Sequence, residues 1–177
     1  MADTTYLKPV NPPNIMTVKE SFELLKKSEE YKEFERNEKG FYFVHAIKVS
    51  EHNKPGKWEF GFYNPDRDKI TTFETNPYVR QPEQDAFKKD GIINELDMNN
   101  VQIPYEMAMT LAEEQRVSKF NSEPVTKTIA LLQTIHKQVW NITLVTAAFS
   151  LINVRIDAAT AEIISSSKSS IMDLGVR

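Results

Sequence analysis

The chain has 177 residues, of which 40% are hydrophobic and 27% are charged, and its formal net charge is −3. This composition is typical of a soluble globular protein with one ordinary domain or two small ones. The lack of a basic excess argues against a nucleic-acid partner. The lack of cysteine excludes disulfides, thiol chemistry and cysteine-based metal sites.

The beginning of the sequence shows no basic stretch followed by an apolar one, so no signal peptide is visible. A cytoplasmic location is therefore the default prediction, although an export signal removed from the sequence would change it. The most apolar segment, residues 142–156, is short and interrupted by polar side chains. We expect no membrane span.

The first elements in chain order form one predicted unit, residues 16–76. Residues 1–15 contain three prolines and predict an extended N-terminal arm. Thr17 and Glu20 form a capping box, which predicts a helix that ends before Gly40. Strands are predicted at residues 41–49, 58–63 and 70–75, and alternation places His45 on the same face as Phe43.

A second unit is predicted at residues 103–177, after a connection at residues 77–102 that contains Pro77, Pro82, Gly91 and an Asn/Asp-rich stretch at residues 97–100. Pro104 predicts the start of one helix, and Pro124 the start of another with Val125, Ile129, Leu132 and Ile135 on one side. Strands are predicted at residues 139–145, 151–156 and 162–166. Both units contain a strand, a polar turn and a second strand, which predicts a duplicated α+β protein of two helix-on-antiparallel-sheet units.

Three segments of the second unit together resemble the PepSY domain: Ile103-Pro-Tyr-Glu-Met-Ala108, Trp140-Asn-Ile-Thr-Leu144 and residues 153–164. The resemblance implies a cystatin-like fold, a tandem arrangement in this chain, and a binding role that is often proposed to restrain peptidases. It implies no catalytic residues. The glycine of the family's turn is Ala161 here and Asp68 in the first unit. If that position needs positive φ, aspartate tolerates it better than alanine.

Aromatic residues are the candidate binding residues. We single out Trp58, Tyr63 and Trp140, because aromatic side chains on an uncovered part of a sheet would mark an interface. The competing explanation is that they pack in the core under a helix. His45 is a candidate functional histidine, although a core histidine with one partner is the favoured interpretation.

The main functional prediction is a non-enzymatic binding or regulatory protein with a protein or peptide partner, which could add a strand to a sheet edge. One alternative is a small-molecule enzyme or ligand-binding protein, with a cleft between the units and His45 as base. The other is a homodimer through sheet edges. Histidine spacing does not match a zinc site, and no nucleotide-binding motif occurs, so we expect no metal and no cofactor.

Overall fold

A computed structural model describes residues 16–52, 54–86 and 91–171. The arm predicted at residues 1–15 lies outside the described residues. The helices are α1 (Val18–Lys27), α2 (Glu29–Asn37) and α3 (Tyr105–Glu114), with a 3₁₀ turn at Met98–Asn100 and a π-helical turn at Gln115–Lys119. The strands are β1 (Tyr42–Glu51), β2 (Trp58–Asn64), β3 (Lys69–Glu74), β4 (Val79–Arg80), β5 (Gln84–Asp85), β6 (Val125–Thr134), β7 (Gln138–Thr146), β8 (Ser150–Asp157) and β9 (Ile163–Ser170).

These strands form one antiparallel sheet in the order β4-β3-β2-β1-β6-β7-β8-β9, and β5 pairs with β3 beside this path. The predicted architecture of two helix-on-sheet units is therefore wrong. The halves of the chain meet where β1 pairs with β6, from His45 opposite Gln133 to Glu51 opposite Lys127. Since this hydrogen-bonded ladder continues from one half into the other, both halves share a single sheet.

Strand β6 is the element that the sequence prediction assigned wrongly to a helix. Val125, Ile129 and Leu132 have helical spacing, but the same segment also alternates as a strand does. Thr128 and Leu132 are buried on one face, whereas Ile129 and Leu131 are partly exposed on the other. Pairing with β1 on one side and β7 on the other favours the extended conformation.

All three helices pack on the same face of the sheet, which we call the covered face. Ring contacts between helix and strand residues show this arrangement: Phe22 with Phe43, Phe34 with Phe73, and Tyr105 with Trp140. No helix in the described ranges lies on the opposite side, which we call the open face. The core consequently lies on the covered face, between the helices and the sheet.

Helix α1 begins where the capping box predicts. The Glu20 N–H donates to Thr17 Oγ1 at 3.2 Å, and the Thr17 N–H donates to the Glu20 carboxylate at 2.8 Å. The single helix predicted here is two helices, because Ser28 ends α1 and its hydroxyl accepts from the Tyr31 N–H at the start of α2. This break lets both helices turn aromatic side chains toward the sheet.

A bulge in β1 changes which face His45 occupies. Phe43 pairs with Phe62, and His45 pairs with Gly61. Phe62 and Gly61 are successive residues of β2, so they lie on opposite faces, and so do their partners. The predicted common face of Phe43 and His45 is therefore wrong: Phe43 lies in the core and His45 on the open face.

The β2–β3 and β8–β9 turns share one local structure. The first side chain of each turn accepts two backbone N–H groups: Asn64 Oδ1 from Asp66 and Arg67, and Asp157 Oδ1 from Ala159 and Thr160. The fifth residue has positive φ in both turns, 53° at Asp68 and 66° at Ala161. Alanine is strained there because its Cβ approaches the backbone. Of the two possibilities that the sequence left open for Ala161, strain or a different turn type, the positive φ favours strain.

Candidate functional site

A groove of about 640 Å³ opens on the covered face, between α3 and the beginning of β6. Its volume lies in the range of ligand-binding sites, about 300–1,000 Å³. We call it the α3 groove. The residues that line it are Met109, Thr110, Glu113, Glu114, Val117 and Ser118 from the helical segment, and Val125, Thr128 and Leu144 from the strands.

Helix α3 forms one wall of the α3 groove. Ala108 and Ala112 are fully buried against the sheet, so the helix backbone lies close to the strands. Met109 and Val117 face the groove, and Val117 is 54% exposed, which is high for valine. Leu144 of β7 is fully buried and forms part of the floor. The floor and this wall are therefore largely apolar.

The wall continues into the π-helical turn, Gln115–Lys119, directly beside the groove. Such turns are rare and occur frequently at functional sites. The Arg116 guanidinium pairs with the Glu113 carboxylate and donates to the carbonyl oxygens of Ser122 and Glu123. These bonds attach the π-helical turn to the loop before β6, so the groove is held open by the fold itself.

Most polar side chains at the rim of the α3 groove already form hydrogen bonds or ion pairs with other groups of the chain. The hydroxyls of Thr110 and Ser118 donate to helix carbonyl oxygens one turn earlier, at 3.0 and 2.6 Å. The carboxylate of Glu113 is held by Arg116. The Glu114 side chain is exposed, and it makes no ion pair with any described residue. An occupant would meet an apolar floor and one unpaired carboxylate.

The predicted binding residues Trp58 and Trp140 lie in the core, with 4% and 0% of their surface exposed. The ring of Tyr105 packs against both, with centroid distances of 5.4 and 6.1 Å. Trp140 Nε1–H donates to the Ile103 carbonyl at 2.9 Å, and the Lys48 ammonium lies 5.3 Å from the Trp58 ring centroid. These rings hold α3 on the sheet and are not available at the surface.

The surroundings of Tyr63 and His45 also indicate structural roles for these residues. Tyr63 is 3% exposed, and its hydroxyl donates to the Asp68 carboxylate at 2.9 Å across the β2–β3 turn. The His45 ring packs directly against Gly61, in the space that a Cβ atom at position 61 would occupy. Burial lowers the pKa of the His45 imidazole to about 4. None of the four residues selected from the sequence lines the α3 groove.

Met109, Val117 and Leu144 line the groove but were not among the candidate residues from the sequence. Met109 has helical spacing with Ala112 and packs partly against the core, so the exposed Val117 beyond the end of α3 was the available signal. Recognising a groove also required β6 to be a strand, because Val125 and Thr128 line it from that strand.

Two further features bear on the class of site. Within residues 16–52, 54–86 and 91–171, no group of three or more histidine, aspartate and glutamate side chains is placed to hold a metal ion. In the same part of the chain, no helix combines the length and the apolar character that crossing a membrane requires.

Comparisons with known proteins show the fold alone. No protein-family model matches the sequence, so the resemblance to the PepSY domain stays a prediction, and no curated protein matches it either. Among solved structures, the chain is similar to a crystal structure from Clostridium difficile 630 that is described as a putative lipoprotein. The two share 13% sequence identity with a TM-score of 0.54, over 86% of this chain and 93% of the other.

Proposed function

We propose that this chain is a non-enzymatic binding protein, and that the α3 groove receives an apolar segment of a partner protein or peptide. The observation that carries the proposal is the preformed groove in which Met109 and Val117 stand above the buried Leu144. Exposed apolar side chains around a concave surface are typical of interaction sites.

A peptide suits the groove better than a small molecule. Small-molecule sites enclose most of the ligand and present several converging polar groups that fix its orientation. The α3 groove is open along one side, and the Thr110 and Ser118 hydroxyls at its rim are already bonded to the helix. An amphipathic helix can lie beside α3 and place its apolar side chains on the floor.

The charge of α3 favours a basic partner segment. Helix α3 carries Glu106, Glu113 and Glu114 and has no basic residue in its last turn. Arg116 neutralises Glu113, which leaves Glu114 at the rim to attract a lysine or arginine of the partner. Such a rim contact contributes to association rate and specificity more than to affinity.

Two other predictions from the sequence are compatible with this proposal. A homodimer through sheet edges stays an alternative, since β9 lies at one edge of the sheet and, among the described strands, pairs with β8 alone. The cytoplasmic location also stays a prediction.

The experiment is selection of displayed random 12-residue peptides on the immobilised full-length protein, followed by titration of the selected synthetic peptides. We expect enrichment of apolar residues at helical spacing together with lysine or arginine. Two or three buried apolar anchors of about 1.5–3 kcal/mol each, reduced by the cost of ordering the peptide, lead us to expect dissociation constants of about 1–100 µM.

The decisive pair of variants is Val117→Lys and Val79→Lys. Both valines are exposed, but Val117 lines the groove and Val79 lies on β4. We expect Val117→Lys to raise the dissociation constants of the peptides at least about tenfold, and Val79→Lys to leave them unchanged. Equal effects of both variants, or no enriched peptide at all, would contradict the proposal.

A further inference from the structure

The open face has a charge gradient along its central row of paired residues. Across neighbouring strands the row consists of Glu74, Glu59, Ile47, Leu131, Asn141 and Arg155. Carboxylates stand at one end, a guanidinium at the other, and aliphatic side chains between them. In the next row, Val49 pairs with Ile129 and extends the aliphatic centre. We call these eight residues the open patch.

Neither end of this row is neutralised within the described part of the chain. The carboxylates of Glu59 and Glu74 are cross-strand neighbours, and burial together with the Glu74 charge raises the pKa of Glu59. Arg155 is exposed and forms no ion pair with a described residue. The aliphatic centre, from Ile47 to Leu131, is partly exposed with no described helix above it.

We propose that the open patch binds a second copy of this chain, face to face, about a two-fold axis parallel to the strands and midway between β1 and β6. This surface is distinct from the α3 groove, and the proposal does not depend on the function proposed for that groove.

The two-fold axis brings opposite charges together. Strands β3 and β8 both lie two and a half strand spacings, about 12 Å, from the line between β1 and β6. A two-fold rotation about an axis along this line exchanges the two sides, so Arg155 of each copy faces Glu74 of the other. Facing sheets stand about 10 Å apart, a gap that an arginine and a glutamate side chain can span together.

The aliphatic centre lies at the axis itself. Ile47 and Leu131 are equally distant from the axis on opposite sides, so each faces the other residue in the second copy. The same holds for Val49 and Ile129. An isologous contact requires a self-complementary surface of this kind.

The size of the open patch sets the expected affinity. Six strands about 4.8 Å apart and two rows about 7 Å apart give a surface of roughly 24 by 14 Å. This is smaller than the roughly 800 Å² that each partner contributes to a standard interface. We therefore expect a reversible dimer with a dissociation constant in the micromolar range.

The experiment is sedimentation equilibrium of the full chain from about 1 to 300 µM, a range that spans micromolar dissociation constants. Arg155→Glu and Glu74→Arg should each raise the dissociation constant at least about tenfold, because each variant faces like charges twice. Far-UV circular dichroism checks that both variants are folded.

A mixture of the two variants is the most specific test of the proposed contact. One copy with Arg155→Glu and one with Glu74→Arg place opposite charges at both contacts. We expect the mixture to form a heterodimer with a dissociation constant within about threefold of the wild-type value. Rescue inside one copy is excluded, because residues 155 and 74 are five strand spacings, about 24 Å, apart. Val117→Lys, on the covered face, should leave dimerisation unchanged.

Three results would overturn the proposal. The first is a wild-type chain that stays monomeric up to about 300 µM. The second is a dimer that both charge variants leave intact but Ser167→Pro in β9 abolishes, which would assign association to the sheet edge. The third is a mixture of the two charge variants that stays monomeric while the wild type dimerises.

Discussion

The covered and open faces of the sheet differ in how completely the chain itself buries them. Leu132 is fully buried beneath the helices, whereas its neighbour Leu131 is partly exposed on the open face. Alternate residues of one strand therefore have different roles. The covered face supplies most of the folding free energy, and at its margin the α3 groove. The open face contributes less to stability and remains available for association.

The largest expected effect on stability comes from replacing a leucine of β6 by alanine, first on the covered face and then on the open face. Leu132→Ala should lower the free energy of unfolding by about 3–4 kcal/mol, because it leaves a cavity beneath the helices. Leu131→Ala should cost about 1 kcal/mol, because its side chain is already partly in water. Urea denaturation at low protein concentration measures both. Equal losses would contradict the distinction between the faces.

A pH effect should appear at His45, on the open face. Its folded-state pKa is about 4 because of burial, below the ordinary value near 6.5. The unfolded state therefore takes up a proton first as the pH falls, and stability declines between about pH 6.5 and pH 4. The shift corresponds to a loss of about 2–3 kcal/mol.

The measurement for His45 is the free energy of unfolding at pH 7 and pH 4 for the wild type and His45→Gln. The difference between the two proteins should change by about 2–3 kcal/mol between these pH values. His136→Gln, at an exposed position, is the control for loss of an imidazole. A pH-independent difference for His45→Gln would show that its burial does not govern its ionisation.

A third prediction concerns the close contact between the His45 ring and Gly61 on the open face. Gly61→Ala should destabilise the fold by about 1–3 kcal/mol, because its Cβ would overlap the imidazole. His45→Ala should relieve most of this loss, and a double-mutant cycle measures the relief. Gly56→Ala is the control, because its Cβ would meet the Val49 carbonyl instead. Its cost should be the same with or without His45.

The smallest expected effect lies in the turns, which set the strand register and thereby decide which residues occupy each face. Ala161→Gly should raise the free energy of unfolding by about 0.5–1 kcal/mol, because glycine adopts a φ of 66° without strain. Asp68→Gly should gain less, because aspartate tolerates positive φ better than alanine and because the variant loses the hydrogen bond from the Tyr63 hydroxyl. Thermal denaturation compares the two, and a larger gain at Asp68 would contradict this explanation.

The sequence predicted features that local interactions determine. The capping box at Thr17, most strands, and the matching turns that end in Asp68 and Ala161 all follow from residues close together in the chain. The β1 bulge was missed because a strict two-residue period put Phe43 and His45 on one face. Only the pairing with Phe62 and Gly61 shows the shift.

Long-range pairing explains the larger errors. The helical spacing of Val125, Ile129 and Leu132 is outweighed by the hydrogen bonds that β6 makes to β1 and β7, and no local pattern reveals these. Because β6 pairs with β1 and joins the two halves, the chain forms one sheet and not the expected pair of units. Trp58 and Trp140 were then buried under α3, and the groove beside α3 became the candidate site.

The most direct test of the account is a methyl NMR spectrum of the full chain with labelled isoleucine, leucine and valine, recorded on dilution and during peptide titration. The account predicts that dilution shifts the methyl signals of Ile47, Ile129 and Leu131, whereas a peptide shifts those of Val117, Val125 and Leu144. The two sets lie on opposite sides of the sheet. A single set of residues responding to both treatments would contradict the separation of the covered and open faces.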